Sequence, residues 1–572
     1  MRAILGINFF HDSSAAIVVD GELKAAIEQE RLDRHKHSGR FPNDAINFCM
    51  STAGIRPDQI TDVVASWHPR LHALDRLISP FRRARSLKRL PWVIYQQCIG
   101  EMILMERRAA AQVHSVAPNA RLHWIEHHLS HTCSAFLVSG FDEAATWSAD
   151  GRGEWSTSLA ANAVGNTVSP IKRTYWPNSI GYYYTMFTNY LGFPGSDNEY
   201  KMMGLAGYGS PRYTDQISPI LTYSPEELFK FDVSYYKHHW FGDPEGDRVG
   251  IKVIEALGPP RAPDDEVAER HMDIAASVQS VLNDVAVNIA GQLREETGAK
   301  NLCLAGGVAL NGVMNNAIRA TGLFDNIFVQ PASGDAGCAL GNAFWCENIH
   351  YGQKRRFRLD HVYLGSSFDD DFISLELEKC QVVHQKLENP AKTAANLLAQ
   401  GNILGWYQGR SEFGPRALGS RSILADPRSP DAKDIVNSKI KFREEFRPFA
   451  PAVLAEDCQE YFGISGESKY MLMVCEVRPE KRGEIPAVTH VDGTARVQTV
   501  NRSDNPIFWD LINEFKHLTG TPVVLNTSFN VKDEPIVDAP VDAIRCFFST
   551  GLDYLIMGQY LVSKKDIPAG IS

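Results

Sequence analysis

The sequence predicts an α/β protein of two large lobes, the first of them built by internal duplication. Three observations carry this expectation. The chain has 572 residues, more than one hydrophobic core organises. Short apolar strand-like runs alternate with stretches of helical period along most of its length. A unit of strand, polar turn and hairpin occurs twice, beginning near residue 2 and again near residue 144.

The first copy opens with RAILGI (2–7), a buried-strand pattern, followed by a polar turn containing His11 and Asp12. Two further apolar runs, 15–19 and 22–27, flank Asp20-Gly21, a two-residue hairpin signal. The second copy runs 144–149, turns through Asp150-Gly-Arg-Gly153, and continues as 156–164 and 167–171 around Gly165-Asn166. Two such copies are what a duplicated actin-like (ASKHA) nucleotide-binding fold shows, where both turns face a cleft and offer backbone N–H groups to phosphates.

Residues 272–298 carry Ile274, Val278, Val281, Leu282, Val285 and Ile289 at helical spacing and predict a long amphipathic helix. Residues 301–305 read as a buried strand that ends at Gly306-Gly307, with a helix over 309–320. A second strand at 326–329 leads through a turn containing Asp335 into an Ala/Gly-rich helix. Residues 347–371 lose periodicity and mark the junction, leaving domains of 1–355 and 366–572, the latter of mixed α/β type. The run 80–90, PFRRARSLKRL, is a basic segment that suits a solvated helix face or a site for an acidic ligand.

Composition narrows the class. Apolar residues make up 44% and charged residues 22%, ordinary for a globular protein, and the formal charge of −10 argues against a broad surface that tracks nucleic acid. The ten cysteines form no CxxC pair, which points to a reducing compartment and a cytoplasmic location. His11 and Asp12 interrupt the N-terminal apolar run before a signal core forms, and no uninterrupted apolar stretch reaches the ~18 residues of a membrane span.

Three constellations carry chemistry. His127 and His131 are four apart, so a helix puts both imidazoles on one face, while Cys133 faces elsewhere. Surface helices carry such pairs too, but Asp150 and Asp335 at turns complete a mixed N/O set suited to Fe(II), Mn, Zn or Mg. Gly306, Gly307 and Asn311 lie at a strand-to-helix turn where backbone can approach a nucleotide. In the C-terminal third, Arg416, Arg421, Lys439, Lys441, Arg443, Arg447 and Arg496 stand among Gly, Pro and Phe without regular period, with Asn526 and Ser528 further on. That pattern fits a pocket for a small dianion, because guanidinium forks pair phosphate bidentately.

Taken together, HDSSAA, ERLDRHKH, EHHLSH, SADGRGE, NEYKMMGLAGYG, AGGVALN, GDAGCALG, GRSEFGPRALGSRS, FREEFRPFAP, TARVQTV and LNTSFN resemble the carbamoyltransferase family that includes nodulation-factor, cephamycin and tobramycin O-carbamoyltransferases. The resemblance spans almost the whole chain. It implies an N-terminal domain similar to the TsaD-type threonylcarbamoyl transferase, a YrdC-like C-terminal domain, and ATP-dependent transfer of a carbamoyl group from carbamoyl phosphate, through carbamoyl adenylate, to a hydroxyl of a small molecule. Carried over by motif, His127, His131, Asp150 and Asp335 correspond to ligands of Fe(II) or another divalent metal, and Gly306, Gly307 and Asn311 lie near the nucleotide, ATP with Mg. Arg416, Lys441, Arg447, Arg496, Asn526 and Ser528 correspond to the carbamoyl-phosphate pocket. His11 and Lys36 correspond to catalytic positions, His11 as the base on the acceptor side. The segment around Lys36 reads RHKH and departs slightly from the family's pattern.

Two other readings stand beside this one. A threonylcarbamoyl-type transferase acting on tRNA would use the same pair of folds, but the acidic charge and the lack of a basic, aromatic segment count against it. A non-catalytic nucleotide-binding descendant would not need the intact set of ligand candidates and arginines. The acceptor is not legible, since the loops 66–110 and 212–270 expected to build its pocket hold the least motif content. Monomer and homodimer both remain open.

Overall fold

The computed structural model describes residues 1–75, 103–195, 197–237 and 249–564. The basic run 80–90 lies outside them, as do parts of 66–110 and 212–270. The chain forms two compact units, one of Met1–Ala26 with Gly39–Leu359, the other of Ile27–Ser38 with Asp360–Ser572.

The first unit contains two five-stranded sheets. One is made of β1 (Ala3–Asn8), β2 (Ser14–Val19), β3 (Glu22–Glu28), β4 (Asp62–Ser66) and β5 (Arg121–Ile125) in the order β3-β2-β1-β4-β5. The other holds β6 (Glu143–Ala149), β7 (Ser156–Val164) and β8 (Thr167–Tyr175). After the small hairpin of β9 (Leu221–Ser224) and β10 (Leu228–Phe231), it is completed by β11 (Asn301–Ala305) and β12 (Asn326–Val329), in the order β8-β7-β6-β11-β12. The two orders superpose strand for strand. In each sheet the first strand is antiparallel to the second and parallel to the fourth, and the fourth is parallel to the fifth. This doubled order is the actin-like (ASKHA) fold.

Local chemistry explains the elements. Every residue of β1 is buried, as a strand covered on both faces must be, and its sequence is accordingly apolar up to the buried Asn8, with one glycine. Asp20 and Gly21 both take positive φ, 49° and 85°, the type I′ turn whose twist matches a hairpin. Helix α1 (His127–Phe136) follows β5 directly, and α2 (Glu269–Thr297) buries Ile274, Val278, Val281, Leu282, Val285 and Ile289 on one side. The helix expected over 309–320 is split into a 3-10 turn, Gly307–Leu310, and α3 (Gly312–Ala320). Asn311 makes the break: its backbone is extended and its side chain accepts from the Met314 N–H at 2.9 Å, an N-cap. Helix α4 (Cys338–Phe344) is wholly buried.

The second unit is built on one eight-stranded sheet. Its strands are β13 (His384–Lys386), β14 (Leu404–Tyr407), β15 (Arg421–Ala425), β16 (Ala450–Leu454), β19 (Gln498–Val500), β20 (Val523–Ser528), β21 (Tyr554–Met557) and β22 (Tyr560–Ser563). They run in the order β13-β22-β21-β14-β15-β20-β16-β19, and β17 (Val474–Glu476) pairs separately with β18 (Thr494–Arg496). Helices α5 (Pro390–Ala399) and α6 (Pro506–Thr519) share a core with Trp406, Leu424 and Val524. Each starts with an Asn cap and a proline at its first position, where the missing N–H costs nothing. Among the described residues no helix is long and apolar enough to cross a membrane.

Candidate active site

In the first unit, three chain segments converge at the C-terminal ends of parallel strands, where open α/β sheets bind ligands. α1 leaves β5 and presents His127 and His131 one turn apart; Asp150 follows β6; Asp335 lies in the turn after β12. The two imidazole Nε2 atoms are 3.1 Å apart. Asp150 Oδ2 lies 3.2 Å from His131 Nε2 and 3.8 Å from that of His127, and Asp335 Oδ1 lies 3.6 and 3.5 Å from them. All four donor atoms fall within 4.8 Å of one another.

These separations suit a cation. Donors about 2.1 Å from one ion stand about 3.0–3.5 Å apart in octahedral or tetrahedral geometry. Asp150 Oδ2 is buried without a hydrogen bond, which a metal would satisfy. Burial opposes charge on both imidazoles, yet Asp335 heads the groups that raise His127 to about 9, and Cys338, Asp150 and Asp335 hold His131 well above its ordinary value. Burial likewise opposes charge on Asp150, which the two histidines nevertheless hold well below the usual carboxylate range. The carboxylates and imidazoles attract one another across the cluster while the two imidazoles repel, and a bound cation would take the place of the imidazole protons.

Surrounding groups fix this cluster. Glu154 is buried and accepts from the His127 N–H at 3.0 Å. The Trp67 ring meets His127 edge-on at 5.7 Å. Cys338 Sγ is 3.6 Å from His131 Nδ1, on the far side of the ring from the cluster, so it orients the imidazole. Sequence reasoning passed over Cys338; its signal is its place three residues after Asp335 on a buried helix.

Gly306 and Gly307 lie against the same cluster. Gly306 has φ 85°, and a Cβ there would stand 2.2 Å from the Ala149 carbonyl oxygen, so only glycine fits. A Cβ on Gly307 would stand 3.0 Å from Asp150 Oδ1. Asn311 exchanges two hydrogen bonds with Gln279, at 2.9 and 3.2 Å, tying the start of α3 to α2. His11 lies on the turn after β1, its Nδ1 3.3 Å from Asp12 Oδ2 and its Nε2 3.1 Å from Asp197 Oδ2. Burial opposes its charge, but the two carboxylates raise the imidazole to about 12, so it carries a proton at neutral pH. Asp197 has no motif signal close enough to His11 in sequence to have suggested the pair.

In the second unit the cations of the C-terminal motifs separate into two groups. Arg410 and Arg421 are structural. Arg410 Nε donates to the Gly365 carbonyl at 3.0 Å. Arg421, fully buried, donates to the Gln408, Gly409 and Ser366 carbonyls and lies 3.7 Å from the Tyr407 ring centre. Arg416, Arg443, Arg447 and Arg496 come together instead: burial first, then the charges of the other three, push Arg496 well below its ordinary pKa. Arg496 Nε is buried without an acceptor.

Lys441 joins this group, its pKa lowered by burial and then by Arg443, Arg447 and Lys36. Its ammonium donates to Asn530 Oδ1 at 2.7 Å, the Asn530 carbonyl at 2.9 Å, the Ser528 carbonyl and Ser528 Oγ at 3.2 Å. Asn526 donates to Gln498 Oε1 at 2.8 Å, and its own Oδ1 is buried without a donor. Lys36 is exposed and belongs to the second unit. The added residues here are Gln498 and Asn530.

Comparison with known proteins supplies the family. The model described as carbamoyltransferase N-terminus matches residues 3–344, and that described as carbamoyltransferase C-terminus matches 395–564. The chain therefore belongs to the carbamoyltransferase family and is a transferase enzyme. "Uncharacterized protein sll1178" of Synechocystis sp. is 38% identical over 99% of this chain and 98% of that protein. "Nodulation protein NolNO" of Sinorhizobium fredii is 38% identical over 97% of this chain and 79% of that protein. Among solved structures, component A of the Acidaminococcus fermentans (R)-2-hydroxyglutaryl-CoA dehydratase aligns with 60% of this chain and 97% of its own, at 14% identity and a TM-score of 0.32.

Proposed function

We propose that the protein is an ATP-dependent O-carbamoyltransferase that takes its carbamoyl group from carbamoyl phosphate, passes it through carbamoyl adenylate and delivers it to a hydroxyl of a small molecule, a secondary metabolite or sugar. The observation that carries this reading is the convergence of Arg416, Arg443, Arg447 and Arg496 in the second unit, where the charges acting on Arg496 are those of the other three arginines. Such a cluster suits a compact dianion, and within this family carbamoyl phosphate is the fitting one. On this reading residues 366–572 form a YrdC-like donor domain and residues 1–355 a TsaD-like transfer domain.

Water attacks carbamoyl phosphate to give carbamate and inorganic phosphate, and the arginines hold the phosphoryl oxygens as charge builds on them. A carbamate oxygen then displaces pyrophosphate at the α-phosphorus of ATP. The acceptor oxygen attacks the carbamoyl carbon, AMP leaves, and the hydroxyl proton passes to a base. Gly306 and Gly307 give the nucleotide phosphates close access to backbone. His127, His131, Asp150 and Asp335 would hold Fe(II) or another divalent ion, which supplies a fixed positive charge for phosphate or carbonyl oxygens. On this reading His11 is the acceptor-side base, acting in its neutral form with Asp12 beside Nδ1 and the Nε2 proton, held by Asp197 in the resting arrangement, passed to that carboxylate.

Incubation with ATP, carbamoyl phosphate and candidate hydroxyl compounds, read by mass spectrometry, tests this. One carbamoyl group is expected on the acceptor, and transfer to tRNA but to no small molecule would overturn the acceptor class.

A further inference from the structure

One segment of the first sheet's chain does not stay with that sheet. Residues Ile27–Ser38, continuing from the end of β3 through a short helix at Gln29–Asp33, belong to the second unit. Arg31 is 1% exposed there and donates from Nη2 to the Gly414 carbonyl at 2.6 Å. Glu28 Oε1 accepts from the N–H of the same residue at 2.5 Å. Both backbone groups of Gly414 are thus held by two side chains one helical turn apart, themselves 3.7 Å from each other. Arg34 secures the segment further, donating to the Ile536 and Pro535 carbonyls at 2.7 and 2.9 Å.

Gly414 has φ 121°, a conformation closed to other residues, and Pro415 follows with its own φ fixed. Only Pro415, with its ring-fixed φ, therefore separates this grip from Arg416. On the other side, Glu412 Oε1 accepts from the N–H groups of Leu418, Ser420 and Arg421 at 2.7, 2.8 and 3.3 Å. Arg416 lies between two pinned points of one loop. Packing alone does not account for Arg31: its Nη1 is buried without an acceptor and its Nε has only the 3.7 Å ion-pair contact with Glu28 Oε2, a cost that an apolar side chain of similar volume would avoid.

We propose that Glu28 and Arg31 are a positioning pair that grips Gly414 and thereby sets Arg416 for the phosphate of the donor. The proposal rests on the carbamoyl-phosphate reading of the second unit. Neither residue touches the substrate; they act through the loop.

A double-mutant cycle on anion affinity tests it, with inorganic phosphate and carbamoyl phosphate as ligands in titration calorimetry of the full chain and ATP affinity as the control. Arg31→Ala should weaken phosphate binding by ~10-fold or more and leave ATP affinity unchanged, and the Arg31→Ala/Arg416→Ala double variant should bind no worse than Arg416→Ala alone. If Arg31→Ala does not fold, Glu28→Leu, which keeps the bulk and removes the acceptor of the Gly414 N–H, enters the same cycle under the same criterion. Additive losses, or wild-type phosphate affinity in the Arg31 or Glu28 variant while Arg416→Ala binds weakly, would overturn the positioning pair alone. Wild-type affinity in Arg416→Ala itself would overturn the pocket reading and the pair with it.

Discussion

Arg496 illustrates how a buried charge reports a missing partner. The charges acting on it are those of Arg416, Arg443 and Arg447, and burial adds to their effect. Replacing an uncompensated cation by an apolar side chain of similar length removes a cost of the free protein, so Arg496→Met should keep or raise the melting temperature without anion. The same variant should weaken phosphate binding by ~2–5 kcal/mol, at least about thirtyfold, because the bound dianion loses a buried partner. Calorimetry with and without phosphate reads both effects; unchanged affinity would remove Arg496 from the pocket. In the first unit, His127→Ala with His131→Ala should abolish bound metal by elemental analysis, whereas full occupancy in the double variant would refute the ligand set. Sequence could name the arginines without sorting them. Arg410, Arg416 and Arg421 stand in one motif, and what separates Arg410 and Arg421 from Arg416 is which carbonyls lie nearby, a property of folded backbone rather than of spacing.

Among the elements, those with local signals were legible. The Asp20-Gly21 hairpin, the strands on either side of Gly165-Asn166 and the long helix follow from turn chemistry and apolar period. The break at Asn311 was not, because capping side chains also occur inside helical patterns, and only the extended backbone there reveals the role. The segment 27–38 was harder still: it reads as the end of a strand and a charged loop, while its anchoring bonds reach residues nearly four hundred positions away. That segment makes a pH-dependent contribution. Burial is the largest influence on Glu28 and raises its carboxyl from 4.5 to about 7, with Arg31 opposing. A folded-state pKa above the unfolded one gives stability that is full below about 4.5 and lost as pH rises through about 7, at most ~3 kcal/mol for this group. Melting temperatures followed from pH 5 to 8 should fall less for Glu28→Gln than for the wild type; equal slopes would place Glu28's pKa near its ordinary value.

At the scale of the molecule, duplication was visible in sequence because strand, turn and hairpin recur in pattern even where letters differ, and the two sheets repeat one strand order. The four candidate metal ligands come from one helix and two turns, each carrying its own motif, and their meeting point depends on both sheets of the first unit. The acceptor was not readable, because its recognition depends on shape rather than on charged motifs. Separable chemistry is expected: Arg416→Ala should lose use of carbamoyl phosphate yet keep transfer from supplied carbamoyl adenylate. His11→Ala should show the reverse, with transfer reduced on the order of 10²–10⁴-fold, the usual worth of a general base. The most direct measurement needs no acceptor, because formation of carbamoyl adenylate from carbamate and ATP releases pyrophosphate and is reversible. Radiolabel from pyrophosphate should enter ATP only when carbamoyl phosphate is present, should do so in His11→Ala, and should fail to do so in Arg416→Ala. No carbamoyl-phosphate-dependent exchange in the metal-loaded wild-type protein, or ADP in place of AMP as the nucleotide product, would contradict transfer through an adenylate.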